Sequence, residues 1–292
     1  MKKSKKIIII VVLILVVLVI GIYTAYYIFK NKDKKDTNYY YKVDNNSIML
    51  LSNDKIVNFY NCNGECSVYE NYFVNGRLLL NDNGKIYLYD LVKGSKLSQE
   101  YDKLYFVKDD STVKYFVVNN GSLYGVMDLN GNVTVNLNYE ELGSIKEDAV
   151  SNFDVANDLI SAKSNGLYGV VSLSNGKGVI DFQYDDIKIS SGKIGAKTQD
   201  KWYLIGLDNR KISKLAFDEI ILGENRSLVR DKNTIYFIDS SDGNILSEKL
   251  VLDKDDVILK FEVEVLYIVN NDSGKQVKYI YNEDANRFDK IK

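Results

Sequence analysis

The feature that most constrains the fold of this chain is an internal repeat. Residues 113–142 read VKYFVVNNGSLYGVMDLNGNVTVNLNYEEL, and residues 159–187 read LISAKSNGLYGVVSLSNGKGVIDFQYDDI. Each copy predicts three strands separated by two tight turns, because runs of Val, Ile, Tyr and Phe of strand length alternate with Asn-Gly or related turn signals. No helical period interrupts them. The repeat therefore predicts an all-β fold.

Five further segments follow the same plan and begin near residues 48, 77, 193, 228 and 265. Seven units at a spacing of roughly 30 to 45 residues fall in the period range of propellers and stacked β-arrays. A unit of this size cannot bury its apolar face alone and must stack on its neighbours. The prediction is a β-propeller of seven small blades, and an open β-array is the alternative. Closure is favoured because it removes exposed sheet ends, and the chain has no proline with which to protect them.

A four-residue element of aromatic, acidic, charged and aliphatic residues closes the units. Its copies are Tyr101-Asp102-Lys103-Leu104, Tyr139-Glu140-Glu141-Leu142, Tyr184-Asp185-Asp186-Ile187 and Phe217-Asp218-Glu219-Ile220. Alternation along a strand predicts that the ring and the aliphatic side chain are buried while the acids face water or cap backbone amides. Catalytic carboxylates and calcium ligands are the competing interpretations. Recurrence at the same place in each unit favours a structural motif.

A Tyr-Gly pair stands in the central strand of the two clearest units, as Tyr124-Gly125 and Tyr168-Gly169. With the turn that follows and the closing element, this pattern resembles the WG-repeat family, in which the pair is Trp-Gly. Trp202 matches the family's tryptophan, although Tyr203 follows it. The resemblance implies a repeated β fold and little chemistry. It implies structural roles for Tyr124, Gly125, Tyr168, Gly169 and Trp202, and for the closing rings Tyr139, Tyr184 and Phe217.

The glycine of the pair suggests how sheets dock. A glycine inside a strand leaves a gap that a close backbone or a large side chain has to fill. We expect an aromatic ring of the neighbouring unit to fill the gap above Gly125 and above Gly169.

The N-terminal part of the chain predicts a membrane anchor. Residues 7–29 form an uncharged apolar run of 23 residues, long enough for a helix to cross a bilayer. The competing interpretation is a cleaved signal peptide, which the length of the run and Tyr23, Tyr26 and Tyr27 at its end disfavour. The expected organisation is a cytoplasmic tail (1–6), a transmembrane helix (7–29), a stalk (30–44) and an extracytoplasmic β-repeat domain (45–292). This orientation is preferred because a long domain translocates largely regardless of its charge.

Composition excludes several function classes. The chain has no histidine, so Ser-His and Cys-His catalysis are impossible. The net charge is +6 in residues 1–36 and −2 for the whole chain, which leaves −8 for the rest and argues against nucleic-acid binding. Cys62 and Cys66 predict a disulfide outside the cytosol; a metal site is the weaker reading, since C-x3-C supplies only two ligands. Asp109-Asp110 and residues 253–256 are interpreted as solvated loops.

These observations predict a non-enzymatic module without metal or cofactor, held to the cell membrane and binding a protein or cell-wall component. A carboxylate-dependent cell-envelope hydrolase or lyase is the alternative. An enzyme would show acids and polar groups converging in a pocket of one unit only.

Overall fold

The computed structural model describes residues 38–44, 46–262 and 264–291, and in these residues all regular structure is β. They form 29 strands in seven sheets. The prediction of an all-β fold built from a succession of small sheets is confirmed. The predicted tail and membrane helix, and the predicted stalk up to residue 37, lie outside the described residues. Residues 39–44, which the sequence assigns to the stalk, form a strand of the first sheet instead. None of the described elements is a helix able to cross a membrane.

The sheets follow one another along the chain. The first contains β1 (Tyr39–Asp44), β2 (Ser47–Ser52) and β3 (Lys55–Asn61). The second contains β4 (Cys66–Val74), β5 (Arg77–Asp82), β6 (Lys85–Asp90) and β7 (Ser95–Lys96). The third contains β8 (Lys103–Asp109), β9 (Thr112–Asn119), β10 (Tyr124–Asp128) and β11 (Val133–Tyr139).

The fourth sheet contains β12 (Glu141–Leu142), β15 (Phe153–Asp154), β16 (Leu159–Ser164), β17 (Leu167–Ser172) and β18 (Gly178–Tyr184). Before β15, the short strands β13 (Ser144–Lys146) and β14 (Ala149–Ser151) extend the third sheet, where β14 pairs in parallel with β8. The fifth contains β19 (Asp186–Ser190), β20 (Lys193–Thr198) and β21 (Lys201–Ile205). The sixth contains β22 (Glu219–Ile221), β23 (Arg226–Asp231), β24 (Thr234–Asp239) and β25 (Leu250–Val251). The seventh contains β26 (Asp256–Glu262), β27 (Val265–Asn270), β28 (Gln276–Asn282) and β29 (Arg287–Ile291).

The chain divides into two compact units. Within the described residues, the first comprises 38–79 and 89–95, and the second comprises 80–88 and 96–291. The second sheet has residues in both. The first unit contains the first sheet, and the second unit contains the third to seventh sheets.

The closing element is the link from one sheet to the next. Tyr139 ends β11 in the third sheet, and Leu142 two residues beyond Glu140 already lies in β12 of the fourth. Tyr184 and Ile187 are divided in the same way between β18 and β19. A sequence unit therefore gives its last residues to the sheet that follows. The unit boundaries read from the sequence are offset from the sheet boundaries for this reason.

Strand register explains why the two aromatic positions of a unit recur together. Tyr124 pairs directly with Tyr139, and Tyr168 pairs directly with Tyr184. Trp202 and Phe217 form the equivalent bridge in the fifth sheet. Directly opposed residues point to the same face of an antiparallel sheet, so each pair covers the same patch of core.

The expectation that a neighbouring unit's ring fills the gap at the Tyr-Gly glycines is wrong. A Cβ on Gly169 would lie 2.6 Å from the carbonyl oxygen of Ile180, and one on Gly125 would lie 2.6 Å from that of Val135. Both oxygens belong to the paired strand of the same sheet, where the register shifts opposite the glycine. The glycine is needed because a β-bulge in the outer strand brings backbone against it.

Neighbouring sheets of the second unit share cores. Val126 and Val135 of the third sheet pack with Ile160 and Val171 of the fourth in one buried cluster. Other clusters join the fourth sheet to the fifth, the fifth to the sixth and the sixth to the seventh. Each small sheet thus obtains its hydrophobic cover from the sheets beside it.

Candidate functional site

The first acid of the closing element caps a turn of the next sheet. Glu140 accepts a hydrogen bond from the backbone N–H of Gly166 at 3.1 Å, and Asp185 accepts one from Gln199 at 3.0 Å. Asp218 accepts one from Lys232 at 2.6 Å. The three donors lie in the β16–β17, β20–β21 and β23–β24 turns, respectively. These carboxylates therefore satisfy turn amides, which leaves them poorly suited to chemistry on a ligand.

The second acid of the element pairs across its own sheet. Glu141 lies 2.9 Å from the Lys163 ammonium and accepts a hydrogen bond from the Tyr168 hydroxyl at 2.7 Å. Burial acts to raise the pKa of Glu141, but the bonds from Lys163 and Tyr168 outweigh it and hold the pKa below its ordinary value. In the sixth sheet, Glu219 meets Arg230 at 3.1 Å in the same way.

The aromatic residues singled out in the sequence lie in or against the core. Phe217 is fully buried, and Tyr184 and Trp202 are buried. Tyr124, Tyr139 and Tyr168 are partly buried and pack against core clusters. These rings therefore form no exposed platform for a ligand.

Trp202 is held by polar contact as well as by packing. The Lys188 ammonium lies 4.6 Å from the centre of the Trp202 ring and donates a hydrogen bond to the carbonyl of Ile220 at 2.8 Å. Burial lowers the pKa of Lys188. The lysine joins the fifth sheet to the sixth, which gives the Trp202 position a role in sheet docking.

Cys62 and Cys66 form a disulfide, with their Cα atoms 6.0 Å apart. It closes the turn between β3 and β4, in the first unit. The Cys62 amide also donates to the carbonyl of Asn46 at 2.8 Å. The bond fixes the point at which the chain leaves the first sheet.

An open depression of about 420 Å³ lies in the second unit, where the first hairpins of four successive sheets end. β8 of the third sheet contributes Asp109. In the fourth sheet, β15 and the loop after it contribute residues 153–157. The β19–β20 turn contributes Ser191, and the β22–β23 loop contributes Glu224. The lining residues are Asp109, Phe153, Asp154, Val155, Ala156, Asn157, Ser191 and Glu224, with three acids and no base.

Asp154 is the structural carboxylate of this depression. It accepts hydrogen bonds from the backbone and side-chain amides of Asn157, each at 3.0 Å, and from the backbone N–H of Gly192. Burial acts to raise the pKa of Asp154, but these bonds outweigh it and lower the pKa. Asp154 thus ties the fourth sheet's loop to the fifth sheet's turn and stays ionised.

A second amide bridge supports the same place. The Asn152 side chain donates to the carbonyl of Ile187 and accepts from the N–H of Ile189 at 2.7 Å. It occupies the edge of β19 as a paired strand would. Hydrogen bonds between the fourth and fifth sheets therefore hold this side of the depression in place.

Asp109 and Glu224 are the exposed acids of the depression. No salt bridge among the described residues includes either of them. Two free carboxylates beside apolar Phe153 and Val155 suit a ligand that carries positive charge and some apolar surface. The sequence predicts a solvated loop at Asp109 and gives no motif-level signal of a site at Asp154 or Glu224. The signal that could have found them is position, since each of the three lies four or five residues before a repeat unit that begins at residue 113, 159 or 228.

The described residues contain no group of three acids or cysteines arranged to hold a metal ion. The depression's carboxylates come from three different sheets, and the most buried of them, Asp154, already accepts three hydrogen bonds. The geometry thus favours charge recognition over metal binding.

Comparison with known proteins bears on the fold alone. No family model matches the chain, and no curated protein matches it. A crystal structure of the eukaryotic initiation factor aligns with a TM-score of 0.50 at 12% identity, covering 74% of this chain and 63% of that one. The computationally designed Ika8 protein aligns with a TM-score of 0.41 at 10% identity, over 88% and 87%. Hsv2p of Kluyveromyces lactis aligns with a TM-score of 0.38 at 14% identity, over 88% and 97%. The fold is all-β and β-propeller-like.

Proposed function

We propose that this protein is a membrane-anchored extracytoplasmic β-repeat protein that binds a protein or cell-envelope component without catalysing a reaction. It is a divergent WG-repeat protein whose seven sheets are the blades of a propeller; an open array is the alternative arrangement. The apolar run of residues 7–29 supplies the anchor, with the N-terminus in the cytoplasm. The partner is held at the acidic depression.

The observation that supports the binding proposal is a difference between two groups of carboxylates: those of the closing element accept hydrogen bonds within the protein, and two of those in the depression are exposed. Glu140, Asp185 and Asp218 are engaged by turn amides, whereas Asp109 and Glu224 stand exposed in one depression. The exposed acids occur where hairpins of different sheets meet, so they form a feature of one place rather than of each repeat. Binding sites of this kind arise on loops that a rigid scaffold positions.

A carboxylate-dependent hydrolase or lyase is the competing function. Such an enzyme needs one carboxyl with a raised pKa to act as general acid. The most buried carboxyl of the depression, Asp154, has the opposite shift. This difference favours recognition over catalysis.

Site-specific photocrosslinking in native membranes tests the proposal. The full chain carries a benzophenone amino acid at Val155, inside the depression, or at Leu259, an exposed residue of β26 outside it. We expect a discrete adduct from position 155 that is absent from position 259 and weakened in Asp109→Asn/Glu224→Gln. Equal adducts at the two positions, or an adduct indifferent to the double substitution, would contradict binding at this site.

The same preparations separate the competing function. Cell-wall polymers incubated with the full chain are analysed for released fragments. Release that Asp109→Asn/Glu224→Gln abolishes would establish the hydrolase or lyase and overturn the non-enzymatic proposal.

A further inference from the structure

One face of the first sheet carries exposed apolar side chains. Strand pairing places Tyr40, Leu51 and Ile56 in one cross-strand row, and Lys42, Met49 and Phe59 in the next. Directly opposed residues share a face, so these two rows form one surface, here named the outward face. Ile56 is 60% exposed and Phe59 is 57% exposed.

The opposite face of the same sheet is the one that packs. Ile48 and Leu50 are completely buried. The Tyr41 ring lies 5.1 Å from that of Phe73, and Asn58 donates from its side chain to the carbonyl of Leu91 at 2.8 Å. A sheet with one packed face normally presents polar residues on the other. The outward face breaks that rule, and exposed apolar surface of this kind marks an interaction site.

The apolar rows lie at a particular end of the sheet. The third row of the outward face, Asp44, Ser47 and Asn61, is polar. The Tyr40 row lies at the opposite end, beside Tyr39, where β1 begins. The outward face is therefore apolar at the end of the sheet where β1 begins and polar at the end where β1 finishes.

The chain before β1 limits how far this end can lie from the bilayer. Only residues 30–37 separate the apolar run of residues 7–29 from the first described residue. Eight residues span at most about 29 Å when fully extended. If the run is the anchor, the apolar end of the first sheet is held within that distance of the lipid headgroups.

Charge at this end also fits a membrane surface. Lys42 lies in the second apolar row, and Lys55 is exposed at the adjacent turn. Asp54, in the same turn, accepts a hydrogen bond from the Tyr40 hydroxyl. Aromatic and aliphatic side chains flanked by lysines are the composition of interfacial membrane-binding surfaces, and lysine favours anionic headgroups.

We propose that the outward face of the first sheet binds the lipid surface, inserting Ile56 and Phe59 at the headgroup level while Lys42 contacts anionic lipid. This inference rests on the proposed membrane anchor. It gives the protein a second membrane contact, which fixes how the anchored protein stands on the bilayer.

Quenching by brominated lipid tests the contact on the full chain in vesicles of phosphatidylcholine and phosphatidylglycerol. Three variants each carry one added tryptophan. Phe59→Trp probes the outward face, and Tyr26→Trp reports on the anchor. Val251→Trp is the matched control, because Val251 is a 64% exposed residue of β25. The native Trp202 is buried and gives the background signal. We expect brominated lipid to quench Phe59→Trp and Tyr26→Trp but not Val251→Trp.

The outcomes separate the two proposals. Quenching of Tyr26→Trp without quenching of Phe59→Trp would overturn the lipid contact and leave the anchor standing. Absence of quenching at Tyr26→Trp would overturn both. A blue-shifted but unquenched emission from Phe59→Trp would show that protein covers the face. If dilution with empty vesicles reverses that blue shift, the cover is a second copy of the protein; if dilution leaves it unchanged, the cover is another part of the same chain. Either result contradicts lipid binding.

Discussion

The Lys163 ammonium lies 2.9 Å from Glu141 across the pairing of β16 with β12, and this contact begins a row of side chains that continues across β17 and β18 of the fourth sheet. Lys163 is paired in turn with Tyr168, and Tyr168 with Tyr184. An acid, a base and two aromatic residues thus stand side by side on four strands. The fifth sheet repeats the row with Asp186, Lys197, Trp202 and Phe217.

Glu141 makes a pH-dependent contribution to stability. Its folded pKa is depressed, so the contribution is complete above its ordinary value of 4.5 and is lost as pH falls through the folded pKa. We expect Glu141→Gln to lower the melting temperature by about 1–2 °C at pH 7, since the pair is solvent-exposed. The difference from wild type should vanish at acid pH. Melting curves from pH 3 to pH 7 measure it, and Glu248→Gln, at an exposed site, serves as the control.

Gly169 tolerates no side chain. A Cβ there would meet the Ile180 carbonyl at 2.6 Å, so Gly169→Ala should reduce the free energy of unfolding by roughly 2–3 kcal/mol. Gly125→Ala should behave alike. Gly178→Ala is the matched control, because nothing lies within 4 Å of its added Cβ. Urea unfolding compares the variants, and equal effects at Gly169 and Gly178 would refute the role of the bulge.

Asp154→Asn tests the wall of the depression. The substitution replaces one of the two acceptor oxygens with an N–H donor, so part of the hydrogen bonding to the amides of Asn157 and Gly192 is lost, which should cost about 1–3 kcal/mol at neutral pH. Because the pKa of Asp154 is lowered, the loss should shrink as pH falls below 3.8. Asp109→Asn should leave stability unchanged. Thermal unfolding of both variants measures this difference. Similar losses of stability in Asp154→Asn and Asp109→Asn would contradict the structural role of Asp154.

The Cys62–Cys66 disulfide should contribute stability on the order of 2 kcal/mol, as expected for so small a ring. Reductant should lower the unfolding midpoint of the wild type and leave Cys62→Ser/Cys66→Ser unaffected. In protein taken from the cell envelope, both cysteines should resist alkylation until they are reduced. Thiols that react freely there would place the domain in a reducing compartment.

The repeat was readable from the sequence because its signals are local. Asn-Gly turns and alternating apolar runs set the strands, and the period of the units predicted a succession of small sheets. The sheet boundaries were not readable, because Leu142 joins the fourth sheet through pairing with Ala162, a contact that no local pattern encodes. The same limit applies to Gly169, whose neighbour Ile180 is placed by a bulge in the opposite strand.

The depression was less predictable than the fold. Asp109, Asp154 and Glu224 belong to different sheets and are far apart in the sequence. Their sequence surroundings, an acid at or near a turn, are common to many solvated loops. Only the stacking of successive sheets brings them together, so composition indicated the acidic character of the domain without indicating where it is concentrated.

Recognition of positive charge by Asp109 and Glu224 is the central property proposed for this protein. The direct measurement is the affinity of the full chain in nanodiscs for a fluorescent tetralysine peptide, compared with Asp109→Asn/Glu224→Gln and with Asp255→Asn/Asp284→Asn, which removes two exposed acids elsewhere. We expect the dissociation constant to rise about tenfold in the first double variant and to stay within about twofold in the second. Equal losses in the two variants would show that the peptide senses only net charge, and would contradict a binding site at the depression.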